Sequence, residues 1–146
     1  MIRRAARIAR IDDNADELLL TGKMLALQGF DLQLTDYHSA EDWLTALDES
    51  EGLPDIVLLD LRLPRLSGLD LLRRSRERPS LGQVIFCICS GSLDQSDRRA
   101  ALAAGAAAFV AKPLNRDGIE AIAAADPRLS LVDAAAGRRL MITETA

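Results

Sequence analysis

Four places in this chain carry side chains that could do chemistry together: the pair Asp12-Asp13, then Asp60, Ser90 and Lys112. Each stands at the end of a short apolar run, with 47 residues from Asp13 to Asp60, 30 from Asp60 to Ser90 and 22 from Ser90 to Lys112. Three carboxylates brought close together repel one another, and a shared proton or a bound cation relieves the repulsion. An open, all-oxygen site suits Mg2+, which keeps several waters and takes one or two carboxylates beside a phosphoryl oxygen. A lysine opposite adds a compact positive charge and a serine adds a hydroxyl donor. Together they describe a carboxylate nucleophile that accepts a phosphoryl group while cations offset the developing charge. One strand-end aspartate alone is ordinarily a turn former or helix cap. The joint placement points to a site.

The elements that must hold these residues alternate along the chain. Short β-like runs cover residues 7–11, 31–35, 55–59, 83–89 and 106–111, and helical spacing fills the segments between them. Leu20, Met24 and Leu27 repeat at helical intervals, as do Ala40, Leu44 and Leu47 beside Trp43. Leu69 and Leu72 mark a third helix, residues 94–104 a fourth closed by Gly105, and residues 115–125 a fifth capped by Asn115 and stopped before Pro127. Such alternation predicts a doubly wound α/β domain over residues 7–125, a parallel sheet covered by helices on both faces. The runs Ile56-Val57-Leu58-Leu59 and Val84 to Cys89 are apolar at successive positions, as doubly covered strands should be, whereas residues 31–35 alternate like a half-exposed edge strand. In this architecture ligands bind beyond the carboxyl ends of the strands, where the five chemical residues fall.

Composition narrows the function classes. The chain has 146 residues, enough for one domain and too few for a second full core. A net charge of −4 argues against nucleic-acid binding by bulk charge, although the third helix region carries Arg65, Arg73, Arg74, Arg76 and Arg78, most simply a solvated face. No apolar stretch is long enough to span a membrane, and the basic opening residues 1–7 lead into no signal-peptide core, which predicts a cytoplasmic protein. Cys87 and Cys89, two apart in a strand run, read as small buried hydrophobes rather than a disulfide or metal pair. Lysine occurs only at Lys23 and Lys112 in an arginine-dominated set of 18 basic residues, which makes Lys112 a poor candidate for filler.

The segment Ile56 to Leu69, with Asp60-Leu61-Arg62-Leu63-Pro64 at its centre, resembles the phosphoacceptor segment of two-component response-regulator receiver domains, and the spacings to Ser90 and to Lys112-Pro113 agree with that family. The resemblance covers residues 7–125 and is chemotaxis-regulator-like. It implies a (βα)5 flavodoxin-like sandwich whose five strands run in the order 2-1-3-4-5. It further implies that Asp60 accepts the phosphoryl group, that Asp12, Asp13, Asp60 and the backbone carbonyl of Arg62 hold Mg2+, and that Lys112 pairs with the phosphoryl group or with Asp60. Ser90 and Phe109 take the family's switch positions, Phe109 without a phenol hydroxyl; Arg62, Gly91 and Ser92 border the path of attacking water; and the Lys112-Pro113 bond is expected to be cis. Arg62 is also placed to pair with an acid such as Asp94. The donor implied is a histidine kinase or histidine phosphotransfer protein, and the recipient of the signal a downstream protein, an output domain or a second copy, with no direct nucleic-acid or membrane contact. The domain would catalyse only its own phosphotransfer and dephosphorylation.

Two rival functions are weighed against this. A haloacid-dehalogenase-type phosphatase needs a second acid two residues after its nucleophile, where this chain has Arg62. A phosphorylation-independent interaction module is the alternative, opposed by the intact acidic set. Asp48 to Gly52 is expected to hold extra residues as a loop. Residues 126–146 form a short extension in which Leu129, Leu131, Leu140 and Ile142 alternate about a small-residue turn, suggesting a hairpin, with a short helix or a linker to an output domain as the other readings.

Overall fold

A computed structural model describes residues 2–49, 52–92 and 94–144. In chain order the elements are β1 (Ile2–Ala5), β2 (Arg7–Ile11), α1 (Ala15–Leu27), β3 (Gln33–Tyr37), α2 (Ala40–Glu49), β4 (Ile56–Asp60) and α3 (Gly68–Arg76). A short 3-10 turn at Pro79–Leu81 follows, then β5 (Ile85–Ser90), α4 (Gln95–Ala103), β6 (Ala108–Ala111), α5 (Arg116–Ala125), β7 (Leu129–Ala134) and β8 (Gly137–Glu144). Five strands form a parallel sheet in the order β3-β2-β4-β5-β6, which is 2-1-3-4-5 when the expected runs are counted from residue 7. This is the flavodoxin-like fold anticipated, with the alternating strand at the edge.

Strand alternation divides the core. Ile56 and Leu58 face one side, with Leu25 of α1 and Ile119 and Ile122 of α5. Val57 and Leu59 face the other, with Trp43 of α2, Leu71 and Leu72 of α3 and Ala101 of α4. Trp43 meets Phe86 edge to face at 6.1 Å between ring centroids. The helices begin where side chains accept from free backbone N–H groups: Asn14 from Glu17, Ser67 from Asp70, Asp94 from Ser96 and Asn115 from Gly118. Gly68 has a stricter reason. A Cβ there would lie 2.0 Å from the carbonyl oxygen of Asp60, so the start of α3 can cross the end of β4 only without a side chain.

Two expectations need correction, and one expected helix turns an unforeseen face to the sheet. The Leu20, Met24 and Leu27 stripe identifies a helix but faces outward, Leu27 being 84% exposed; Leu18, Thr21 and Leu25 form the inner face. Helical spacing alone does not say which of two apolar sets meets the sheet. The second core strand starts at Gln33 rather than residue 31, because Asp31 donates its N–H to Arg138 O at 2.8 Å and is held by the tail instead. Asp48 and Glu49 belong to α2, not to a loop; Ser50 and Glu51 lie outside the described residues.

The tail is a hairpin, and it has a partner that no local pattern announced. β7 and β8 pair antiparallel, and β1 joins the far side of β8, giving a three-stranded sheet in the order β1-β8-β7. Leu129, Leu140 and Ile142 enter the core beside α1 and α5 together with Phe30 and Ala6. Arg138 donates its N–H to Gly29 O at 2.7 Å. Arg4 grips Asp55 through two hydrogen bonds of 2.7 Å and also contacts Glu144.

Candidate phosphoacceptor site

Asp12 and Asp13 follow β2, Asp60 ends β4, Ser90 ends β5 and Lys112 follows β6, so parallel strands deliver all of them to one rim. Oxygen atoms of Asp12, Asp13 and Asp60 lie within 4.8 Å of one another, a spacing that could hold a metal ion. Asp12 is buried, Asp60 half-buried and Asp13 exposed, so the cluster opens toward solvent on one side.

Local hydrogen bonds fix the orientation of each acid. Asp12 Oδ1 accepts from the N–H of Asn14 at 2.9 Å, and its Oδ2 accepts from Lys112 Nζ at 2.6 Å. Asp60 Oδ1 accepts from the N–H of Arg62 at 3.2 Å, while Oδ2 is 3.3 Å from Lys112 Nζ. Lys112 thus lies between two carboxylates and nearer to Asp12 than to Asp60. A further acid, Glu17 on the first turn of α1, is 3.5 Å from the same ammonium. Glu17 was readable as the third residue after the Asn14 cap, a position that turns back toward the helix entry.

The charge states follow from this crowding. Burial pushes the Asp60 carboxyl above its ordinary value and the Asp12 charge adds to that, against the Arg62 N–H and Lys112. Burial alone would lower Lys112, but the hydrogen bond to Asp12 and the charges of Asp60, Asp12 and Glu17 outweigh it and hold the ammonium protonated. Burial pushes both cysteine thiols up to about 12, which keeps them neutral.

Ser90 is buried, and its Oγ accepts from the N–H of Ser92 at 3.1 Å; the N–H of Lys112 donates to Ser90 O at 2.8 Å. Phe109 is buried in the α2–α3–α4 side of the core, opposite Ile88 in the β5–β6 register. Gly91 has open space where a side chain would stand. Arg62 is exposed, with its guanidinium 3.9 Å from Asp97; Asp94, the partner expected for it, accepts from Ser96 N at 2.8 Å and caps α4. The Lys112-Pro113 peptide bond is cis.

Comparison with known proteins decides the family. The family described as the response regulator receiver domain matches residues 8–124, most of the chain. This chain belongs to that family. It is a receiver domain of the two-component response regulators, whose part in signalling is to accept a phosphoryl group. It is 31% identical over 114 residues to the phosphate regulon transcriptional regulatory protein PhoB of Rhizobium meliloti, covering 75% of this chain and 46% of that one. It is 30% identical over 116 residues to the chemotaxis protein CheY of Bacillus subtilis, covering 79% of this chain and 92% of that one. A CheY-like receiver domain from Methanospirillum hungatei superposes with a TM-score of 0.64 at 26% identity, covering 82% of this chain and 91% of that chain. The bacteriophytochrome response regulator AtBRR shares the fold at a TM-score of 0.72 and 23% identity, over 84% of this chain and 92% of that one. The chain spans from about a quarter to about half of the length of the first curated relatives, 24% of PleD from Caulobacter vibrioides and 46% of PhoB. β1, β7 and β8 lie outside the matched span.

Proposed function

We propose that this receiver takes a phosphoryl group onto Asp60 in a Mg2+-dependent reaction, the donor being a phosphohistidine of a histidine kinase or histidine phosphotransfer protein. The observation that carries the reading is Lys112 Nζ at 2.6 Å from Asp12 and 3.3 Å from Asp60, beside three carboxylates whose oxygens converge. Asp12, Asp13, Asp60 and the carbonyl of Arg62 would hold the metal, and the hard, all-oxygen donor set suits it. Mg2+ supplies charge neutralisation on the transferring oxygens.

The protein's own groups do the rest. The N–H of Arg62 orients the Asp60 carboxylate, and burial strips water from its oxygen. As the Asp60 oxygen bonds to phosphorus, the P–N bond to the histidine breaks and the imidazole leaves with the electron pair. Lys112 turns from Asp12 and Asp60 toward the new phosphoryl oxygens. The added charge of about −1.5 to −2 draws the Ser90 hydroxyl off Ser92 N, and Phe109 follows into the space released. The α4–β6–α5 surface repacks, and its affinity for a downstream protein, an output domain or a second copy changes. Arg62, Gly91 and Ser92 border the route of hydrolytic water and tune the lifetime of the acyl phosphate.

Incubation with acetyl phosphate and Mg2+ tests this directly. The wild-type chain is expected to gain one phosphoryl group that chelation of Mg2+ prevents, and Asp60→Asn to gain none. Undiminished labelling of Asp60→Asn overturns the assignment.

A further inference from the structure

An interior strand of the parallel sheet carries a charge where strands covered on both sides ordinarily carry aliphatic side chains. Arg10 is on β2, two residues before Asp12 and therefore on the same face of the strand, roughly 7 Å away along the backbone. The residue is 5% exposed. Its Nε and Nη2 bind both carboxylate oxygens of Asp36 on β3 at 2.7 and 2.9 Å, and Nη2 also donates to Leu18 O at 3.0 Å. Nη1 is buried with no hydrogen-bonding partner among the described residues. Gly22 of α1 leaves space over the guanidinium, since a Cβ there would stand 3.4 Å from Nη2.

Arg10 lines one cavity of about 30 Å³ together with Asp12, Glu17, Asp60 and Lys112. The cavity is partly open to solvent, so water screens these charges in part rather than fully. The Arg10–Asp36 pair is also asymmetric toward the site. Asp36 belongs to the edge strand, with its side chain 31% exposed against 6% for Arg10, so water screens the negative end and not the positive one. The pair therefore presents a net positive field to the floor of the acidic cluster.

We propose that Arg10 is a positioning residue of the phosphoacceptor site, whose buried charge weakens the metal-only state and favours the phosphoryl-bearing state. The inference rests on the Mg2+-dependent phosphoacceptor reading of Asp60. A cation beneath the cluster repels the divalent ion and attracts the added phosphoryl charge, so its removal should move the two affinities in opposite directions. Damage to the architecture of the site would weaken both.

The test measures Mg2+ binding by calorimetry, and beryllofluoride binding at saturating Mg2+, for wild type, Arg10→Met, Arg10→Lys and Asp36→Asn. Coulomb's law at roughly 8 Å in a partly screened medium predicts Mg2+ binding about three- to tenfold tighter in Arg10→Met, with the singly charged beryllofluoride weaker by about the square root of that factor, roughly two- to threefold. Arg10→Lys, which keeps the charge, should return both toward wild type. Asp36→Asn, which removes the screening carboxylate, should weaken Mg2+ binding about twofold or more. A folded Arg10→Met that binds Mg2+ no tighter than wild type overturns the proposal. If Arg10→Met does not fold, Asp36→Asn decides: unchanged or tighter Mg2+ binding overturns it equally. A wild-type chain that binds no Mg2+ and takes no label defeats the phosphoacceptor reading itself, whereas normal wild-type labelling with unmoved variants defeats only the role of Arg10.

Discussion

Asp60 is a residue whose chemistry and stability pull apart. Burial and the nearby Asp12 hold its carboxyl above the ordinary value, so the folded state binds this proton more tightly than the unfolded chain does. Ionised Asp60 therefore works against folding near neutrality; stability is recovered as pH falls through the folded value and is complete below the ordinary carboxylate value. Asp60→Asn should raise the urea midpoint at pH 7 while abolishing phosphorylation, and its advantage over wild type should shrink toward pH 4. Urea titrations at several pH values read both. Asp55 and Asp126 behave oppositely. Burial favours the neutral form of Asp55, but its bonds from Arg4 and from the N–H of Arg7 prevail and hold it low, while the side-chain bond from Arg128 depresses Asp126. Their contributions are present above the ordinary carboxylate value and lost as pH falls through the lower folded values. At this scale Asp12, Asp13, Asp60, Ser90 and Lys112 were legible because each closes an apolar run. Arg10 was not: a charge inside a strand run reads as an interruption until its partner Asp36 on the neighbouring strand is known.

The elements are held to one another by a few residues with no part in phosphotransfer. Asp55, just before β4, receives two hydrogen bonds from Arg4 of β1 and one of 2.8 Å from the N–H of Arg7 of β2, and so ties the three-stranded sheet to the five-stranded one. Its side chain is only 10% exposed, so loss of its charge leaves Arg4 facing a neutral partner in a partly dry site. Asp55→Asn should cost about 2–4 kcal/mol in urea unfolding. Leu140 of β8 lies in the same core cluster as Leu25 and Ile122. Leu140→Ala should cost about 2–4 kcal/mol, as a core truncation does; a cost below about 0.5 kcal/mol, the scale of surface substitutions, would show the hairpin to be loosely attached. The hairpin itself was legible from the alternation of Leu129, Leu131, Leu140 and Ile142. The third strand was not, because Ile2–Ala5 pairs with Met141–Glu144 at the other end of the chain and nothing local marks a partner at that separation.

Across the whole molecule the two sheets divide the labour. The parallel sheet gathers the acids, Ser90 and Lys112 at its carboxyl rim, whereas the appended sheet closes the α1–α5 side of the core and pins the turn after α1 through Arg138 and Gly29. Phosphoryl-driven repacking should therefore be confined to the side where Ser90, Phe109 and α4 meet. Hydrogen exchange with and without beryllofluoride and Mg2+ should change over residues 90–111 and at the start of α5, and leave residues 2–5 and 129–144 unaltered. Comparable changes in the appended sheet would mean that the switch runs through the α1–α5 side instead.

The amino-acid sequence by itself determined the alternation of strands and helices, the parallel sheet with its edge strand, and the residues at the strand ends. All of these depend on local periodicity and on a fold whose loops must converge. Tertiary structure alone decided that Lys112 sits closer to Asp12 than to Asp60, that Glu17 joins them, and that the apolar stripe of α1 faces solvent. It also decided that Arg10 lines the same cavity as Asp12, Asp60 and Lys112 and that the two ends of the chain share a sheet. Each of these depends on distances between residues far apart in the chain, which are set only when the elements pack.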